Sequence, residues 1–98
     1  MENYKLTVQA TKDLYNIWKY TVNTWSETQA DKYYTKLKAA FDEIASNPLT
    51  KGKPYDHVLP GLRALHVEKH MVFFHPQYEG NVLIIRILHE SMDFVRHF

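Results

Sequence analysis

Four side chains in this 98-residue sequence have the chemistry to act on a phosphodiester: Arg63, His66, Arg86 and His89. Cleaving RNA needs a base for the 2′-hydroxyl, an acid for the leaving oxygen, and cations around the phosphate. Two imidazoles and two guanidiniums are the right types, and all four fall on strand-like runs that could share one sheet. A simpler reading pairs Arg86 with Asp93 or Glu90 as a structural clamp and leaves Arg63 and His66 as solvated edge-strand groups. Sequence alone keeps both readings open. Metal chemistry is not expected. His66, His70 and His75 sit on adjoining strands, but no zinc-site spacing, HExxH pattern or cysteine accompanies them. The three glycines are scattered, so no phosphate loop is present, and neither Ser46 nor Ser91 lies in a nucleophile elbow. No cofactor is implied.

The elements that must position these groups follow from periodicity. Tyr4, Leu6 and Val8 alternate with polar residues, as in a short strand. The period then becomes helical: Ala10, Leu14, Ile17, Trp18, Thr21 and Trp25 form one stripe, with Lys12, Asp13, Asn16 and Lys19 opposite. Ser26-Glu27-Thr28-Gln29 is a capping-box pattern that starts a second helix. Its stripe is Ala30, Tyr33, Tyr34, Leu37, Phe41, Ile44 and Ala45, and Asn47-Pro48 stops it. Residues 47–61, rich in Pro, Gly, Lys and Asp, read as a surface loop.

Three strand-like runs complete the chain: Leu62 to Val67, Met71 to His75 and Val82 to His89. Turn chemistry at Glu68-Lys69-His70 and Glu79-Gly80-Asn81 makes them an antiparallel meander. The expected fold is a single α+β domain, 1–98, with an N-terminal strand and helical hairpin packed on a small, mainly antiparallel sheet. In strict alternation Val82, Ile84, Arg86 and Leu88 share one face of the last strand, and Leu83, Ile85, Ile87 and His89 the other. Both faces are apolar, and two helices cover only one, so the second face is expected to await a partner.

Bulk composition fits this. The hydrophobic fraction is 45% and the aromatic fraction 14%, as in a folded domain. A formal net charge of +1 gives no general attraction to nucleic acid, so direct sequence-specific nucleic-acid binding is not expected. No stretch has signal-peptide or membrane-span character, and no cysteine is present. A cytoplasmic protein with no membrane contact is expected.

Several segments carry a family resemblance. "YKLTVQATKDLYNIWKYT", "QADKYYTKLKAAFDEIASNP", "GLR" at Gly61 to Arg63, "HMVFF" and above all "IIRILHESMD" resemble, in order and over nearly the whole length, a ParE-type toxin of the RelE/ParE toxin-antitoxin superfamily. That resemblance implies a RelE/ParE-like fold and a cognate ParD-like antitoxin that wraps the toxin in a hetero-oligomer. It also implies action by inhibition of DNA gyrase, trapped on cleaved DNA, without catalysis by the toxin. The RelE-like branch instead cleaves mRNA on the ribosome. This chain lacks that branch's strong positive charge and has no tyrosine after His89. It also departs from typical ParE sequences: Leu62 stands where an aromatic is common, "VEKH" replaces a small-residue turn, and Phe74 replaces a common tyrosine. The reading is a non-enzymatic toxin with a RelE-like ribonuclease as alternative; a member that has lost toxicity is a third possibility. Target- or antitoxin-binding candidates are Arg63, Arg86, His89, Ser91, Met92 and Asp93.

Overall fold

The computed structural model describes residues 3–98. The chain runs β1 (Tyr4–Leu6), α1 (Val8–Thr24), α2 (Glu27–Ser46), β2 (Lys53–Pro54), β3 (Arg63–Val67), β4 (His70–Pro76) and β5 (Val82–His89). Short 3-10 turns at Tyr78–Gly80 and Phe94–His97 complete it. The five strands form one sheet in the order β1-β5-β4-β3-β2. β1 pairs with β5 in parallel, which requires a crossover, and the α1–α2 hairpin provides it. Every other neighbouring pair is antiparallel. This is the α+β architecture that periodicity predicts, with one addition. The segment after α2 is not all loop: Lys53 and Pro54 pair with Ala64 and Arg63 as a two-residue edge strand.

Local chemistry sets the helix starts. The Thr7 hydroxyl accepts from the Ala10 amide at 3.0 Å and caps α1. The same hydroxyl donates to the Ile85 carbonyl at 2.7 Å, so the cap also seats the helix on β5. Ser26 accepts from the Gln29 amide at 3.0 Å, as the capping-box pattern requires.

The main core lies between the helices and the sheet. Ala10, Leu37, Phe41 and Ile44 pack on Val72, Phe74, Val82, Ile84 and Ile87, with Tyr4 edging onto Phe41. Burial selects only part of each predicted stripe. Ala10 is the buried residue of α1, while Trp25 is 74% exposed and Tyr34 39% exposed.

Two expectations about β5 are overturned. Phe73 lies opposite Arg86, yet Phe74 lies opposite Ile84, so β5 carries a bulge at Ile85. One extra residue inverts the alternation beyond it. Val82, Ile84 and Ile87 therefore face the helices, while Ile85 and Leu88 join the other face. Nor is that second face open. Leu62, Ala64, Met71, Phe73 and Leu88 form a buried cluster, covered by Tyr55, Val58 and Phe94. The Phe73 ring meets Phe94, Phe98 and Tyr55 at centroid distances of 4.9, 5.1 and 5.3 Å. The segment around β2 and the C-terminal turn thus do what a partner was expected to do. Among the described residues no helix is long and apolar enough to cross a membrane.

Candidate functional site

The short length of β1 determines where Arg86 goes. β1 pairs only with Val82, Leu83 and Ile84, so the edge of β5 is bare from Ile85 onward. Asp13 of α1 fills that edge. Its Oδ2 accepts from the Ile87 amide at 3.0 Å and from Arg86 Nε at 2.8 Å, and its Oδ1 accepts from Arg86 Nη2 at 2.9 Å. Arg86 Nη1 also donates to the His97 carbonyl at 3.3 Å, which ties down the C-terminal turn. Only 18% of the Arg86 side chain and 13% of Asp13 are exposed. The hydrogen bonds that Arg86 donates to Asp13 raise its pKa still further and outweigh its burial. Arg86 is therefore a clamp, as the simpler reading holds, but its partner is neither Asp93 nor Glu90. Asp93 lies 3.4 Å from Arg96, and Glu90 lies 3.6 Å from His66 Nε2. Sequence proximity misleads because the true partner is 73 residues away on a helix whose periodicity marks Asp13 as solvent-facing.

Arg63 is also engaged within the chain. Its Nε and Nη2 donate to the carbonyls of Lys51 and Gly52 at 3.1 and 3.2 Å. These bonds hold the segment before β2 against β3.

Two of the histidines, His70 and His89, meet at the far end of the sheet, by the β3–β4 turn. His70 and His89 are cross-strand partners, with ring centroids 5.4 Å apart. The Tyr33 hydroxyl of α2 lies 2.6 Å from His70 Nδ1 and accepts from the Lys69 amide at 3.4 Å. Burial, then the neighbouring His89, lowers the His70 pKa to about 4; Glu90 and Asp13 oppose this. His70 is therefore neutral near pH 7; its Nδ1 shares a hydrogen bond with the Tyr33 hydroxyl, which also donates to the Val67 carbonyl at 3.4 Å. Burial in turn pushes the Tyr33 phenol up. On His89, Nδ1 accepts from the Ser91 amide at 3.1 Å, so the Ser91 hydroxyl, 2.7 Å away, donates to it as well. The turn that follows leaves Met92 45% exposed and Asp93 at the surface.

The four groups with phosphodiester chemistry are thus not brought to one place. Arg86 is held at the β1–β5 edge and Arg63 at the β2–β3 edge. His66 stands apart on β3 beside Glu90. His89 is joined instead by His70, Tyr33 and Ser91. Tyr33 gives no sequence signal of this role, because its place in the α2 stripe marks it as packing. Among the described residues, no three side chains converge to hold a metal ion.

The helical hairpin on a mostly antiparallel sheet has a counterpart among solved structures. A solved structure described as "Chromosomal ParDE TA system from P. aeruginosa" superposes with a TM-score of 0.76, over 88% of this chain and 92% of that one, at 22% identity. Residues 4–94 match the family model for the ParE toxin of the type II toxin-antitoxin system, parDE. Toxin ParE1 of Mycobacterium tuberculosis (strain ATCC 25618 / H37Rv) is 35% identical over 94 residues, covering 96% of this chain and 95% of that protein. Toxin ParE1 of Caulobacter vibrioides is 35% identical over 97 residues, covering 99% and 98%. The chain belongs to the ParE toxin family of type II toxin-antitoxin systems.

Proposed function

We propose that this protein is a cytoplasmic toxin, neutralised by a ParD-like antitoxin in a hetero-oligomer, that inhibits DNA gyrase without catalysing a reaction of its own. The observation that carries the non-catalytic part is the fate of the two arginines. A phosphoryl-transfer site needs cations aimed at developing charge. Here Arg86 is closed on Asp13 and Arg63 on two backbone carbonyls. A net charge of +1 likewise favours a protein target over an RNA one.

The antitoxin reading rests on the family match and now needs a surface other than the covered sheet face. The outer edge of β1 offers one. A groove of about 440 Å³ lies there, lined by Lys5, Leu6, Thr11, Leu14, Tyr34 and Phe41 among others. An open strand edge beside an apolar groove suits an extended segment followed by an amphipathic helix. The turn bearing His89, Ser91, Met92 and Asp93 is a separate exposed surface and the better candidate for the target.

The RelE-like alternative keeps one observation in its favour: His70, His89, Tyr33 and Ser91 place two imidazoles and two hydroxyls together. One experiment separates the readings. Purified toxin is added to a gyrase supercoiling reaction and to a translating extract whose mRNA is mapped for cuts. Inhibited supercoiling with intact mRNA, relieved by the product of an adjacent antitoxin gene, is the expected result. Ribosome-dependent cuts with normal supercoiling would overturn it, and no effect in either assay or on growth would mark a member without toxicity.

A further inference from the structure

His70 and His89 face each other directly across β4 and β5. One position further out, the Glu90 amide donates to the Lys69 carbonyl at 2.9 Å. Hydrogen-bonded and non-hydrogen-bonded pairs alternate along an antiparallel ladder, so the histidines occupy a non-hydrogen-bonded position, where side chains approach most closely. Their ring planes are nearly perpendicular, at 83°. Each ring is fixed through Nδ1, His70 by the Tyr33 hydroxyl and His89 by Ser91. Neither Nε2 makes a hydrogen bond to another described residue. No buried side-chain nitrogen among the described residues lacks a partner, so both Nε2 atoms reach water.

We propose that His70 and His89 together bind a transition-metal ion of the Cu(II), Ni(II) or Zn(II) class through their Nε2 atoms, with water completing its coordination. The arrangement supplies what a histidine ligand needs: a hydroxyl at the opposite ring nitrogen that fixes the ring. Coordination requires each ring to carry its proton on Nδ1; for His89, whose Nδ1 now accepts from the Ser91 amide, this is a tautomer exchange without net proton loss. Both hydroxyls accommodate it, since each oxygen can accept from an Nδ1–H. The Tyr33 hydrogen has the Val67 carbonyl, 3.4 Å away, as its acceptor. The Ser91 amide sits on an exposed turn and can donate to water. Glu90, next in sequence, adds negative charge at the rim. Since no third ligand converges, the site is an exchangeable one of two imidazoles, not a closed structural cage. Cu(II) should bind most tightly of the three. The site does not depend on the gyrase reading, because it uses neither the β1 groove nor the arginines.

The test uses the full chain at pH 7.5, with Ni(II) titrated by calorimetry and Cu(II) examined by electron paramagnetic resonance. The expected result is one equivalent bound, with two equatorial nitrogens from imidazole. His89→Asn and His70→Asn should each weaken Ni(II) binding roughly tenfold or more, and Tyr33→Phe by about tenfold, as outer-shell removal does. His66→Asn and His75→Asn, each a lone ring, should leave affinity within about twofold, since neither shares the cross-strand pair. Circular dichroism confirms folding; should His70→Asn unfold the chain, the more peripheral His89→Asn decides. A one-nitrogen copper signature, or affinity unchanged in both His70→Asn and His89→Asn, would overturn the proposal.

Discussion

Asp13→Ala should be among the most damaging single changes at a helix surface in this protein. The carboxylate receives three hydrogen bonds, two from Arg86 and one from the Ile87 amide, and only 13% of the side chain is exposed. Truncation strands a guanidinium that is itself only 18% exposed, and it leaves an edge amide of β5 without its acceptor. Removing one partner of a fully buried pair costs about 3–5 kcal/mol; residual solvent access here brings the charge contribution to about 2–3 kcal/mol. The orphaned amide adds about 1 kcal/mol. The sum, about 3–4 kcal/mol, is a large part of the 5–15 kcal/mol typical of a whole domain. For a chain of this size it corresponds to a fall in Tm of roughly 12–30 °C.

Arg86→Met keeps the stem volume and leaves Asp13 bonded to the Ile87 amide, so it should cost less, about 2–3 kcal/mol. With both changes made, no charge is stranded. A double-mutant cycle in urea, followed by circular dichroism, should therefore return a coupling energy of about 2 kcal/mol. Asp31→Ala is the control, because that carboxylate is exposed and among the described residues meets only the Trp18 indole N–H, at 3.2 Å; it should cost under about 1 kcal/mol. A cost for Asp13→Ala as small as the control's, or a coupling near zero, would refute the clamp.

Two further outcomes follow from the geometry. His70 titrates near 4 in the folded chain, against an ordinary value of 6.5, so the unfolded state binds the extra proton first. Stability should hold above about pH 6.5 and fall as pH drops from there toward 4, by about 1–2 kcal/mol after allowance for partial exposure. His70→Asn should flatten that part of the profile, and an unchanged slope would exclude His70 as its source. Gly52 and Gly80 both have positive φ, at +68° and +78°, but a Cβ on Gly52 would meet the Ala64 carbonyl oxygen at 2.2 Å, whereas Gly80 has open space. Chemical denaturation should find Gly80→Ala costing about 1–2 kcal/mol and Gly52→Ala clearly more.

How much of this the sequence shows depends on the range of the interaction. The helix caps at Ser26 and Asn47, the β3–β4–β5 meander and the hairpin's apolar stripe rest on neighbours a few residues apart, and all are legible. The parallel β1–β5 pairing, the two-residue β2 and the Asp13–Arg86 clamp rest on contacts between distant segments, for which period and composition carry no signal. The covered second face fails for a related reason. Tyr55, Val58 and Phe94 lie in segments without periodicity, yet they bury more by folding back on Phe73 than they would as solvated loops. The candidate site is half legible: His89 and Ser91 stand out by their chemistry, while Tyr33 and His70 need the sheet register to meet them.

The Ile85 bulge connects these misses. Under strict alternation Arg86 would follow Val82 and Ile84 into the helix-facing core, where a guanidinium without a partner is costly to bury. One inserted residue sends Ile87 into that core in its place and sets Arg86 opposite Phe73, next to the bare edge that β1 leaves. At that edge an unpaired Ile87 amide and a guanidinium both need an acceptor, and a single carboxylate one helical turn and a half into α1 serves both. Thr7, at the start of the same helix, closes the Ile85 carbonyl beside it. The arginine that looks most like a catalytic cation is therefore the residue the fold requires to join α1, β5 and the C-terminal turn. With Arg86 closed in this way, the His89–Asp93 turn and the groove beside β1 are surfaces the fold leaves exposed.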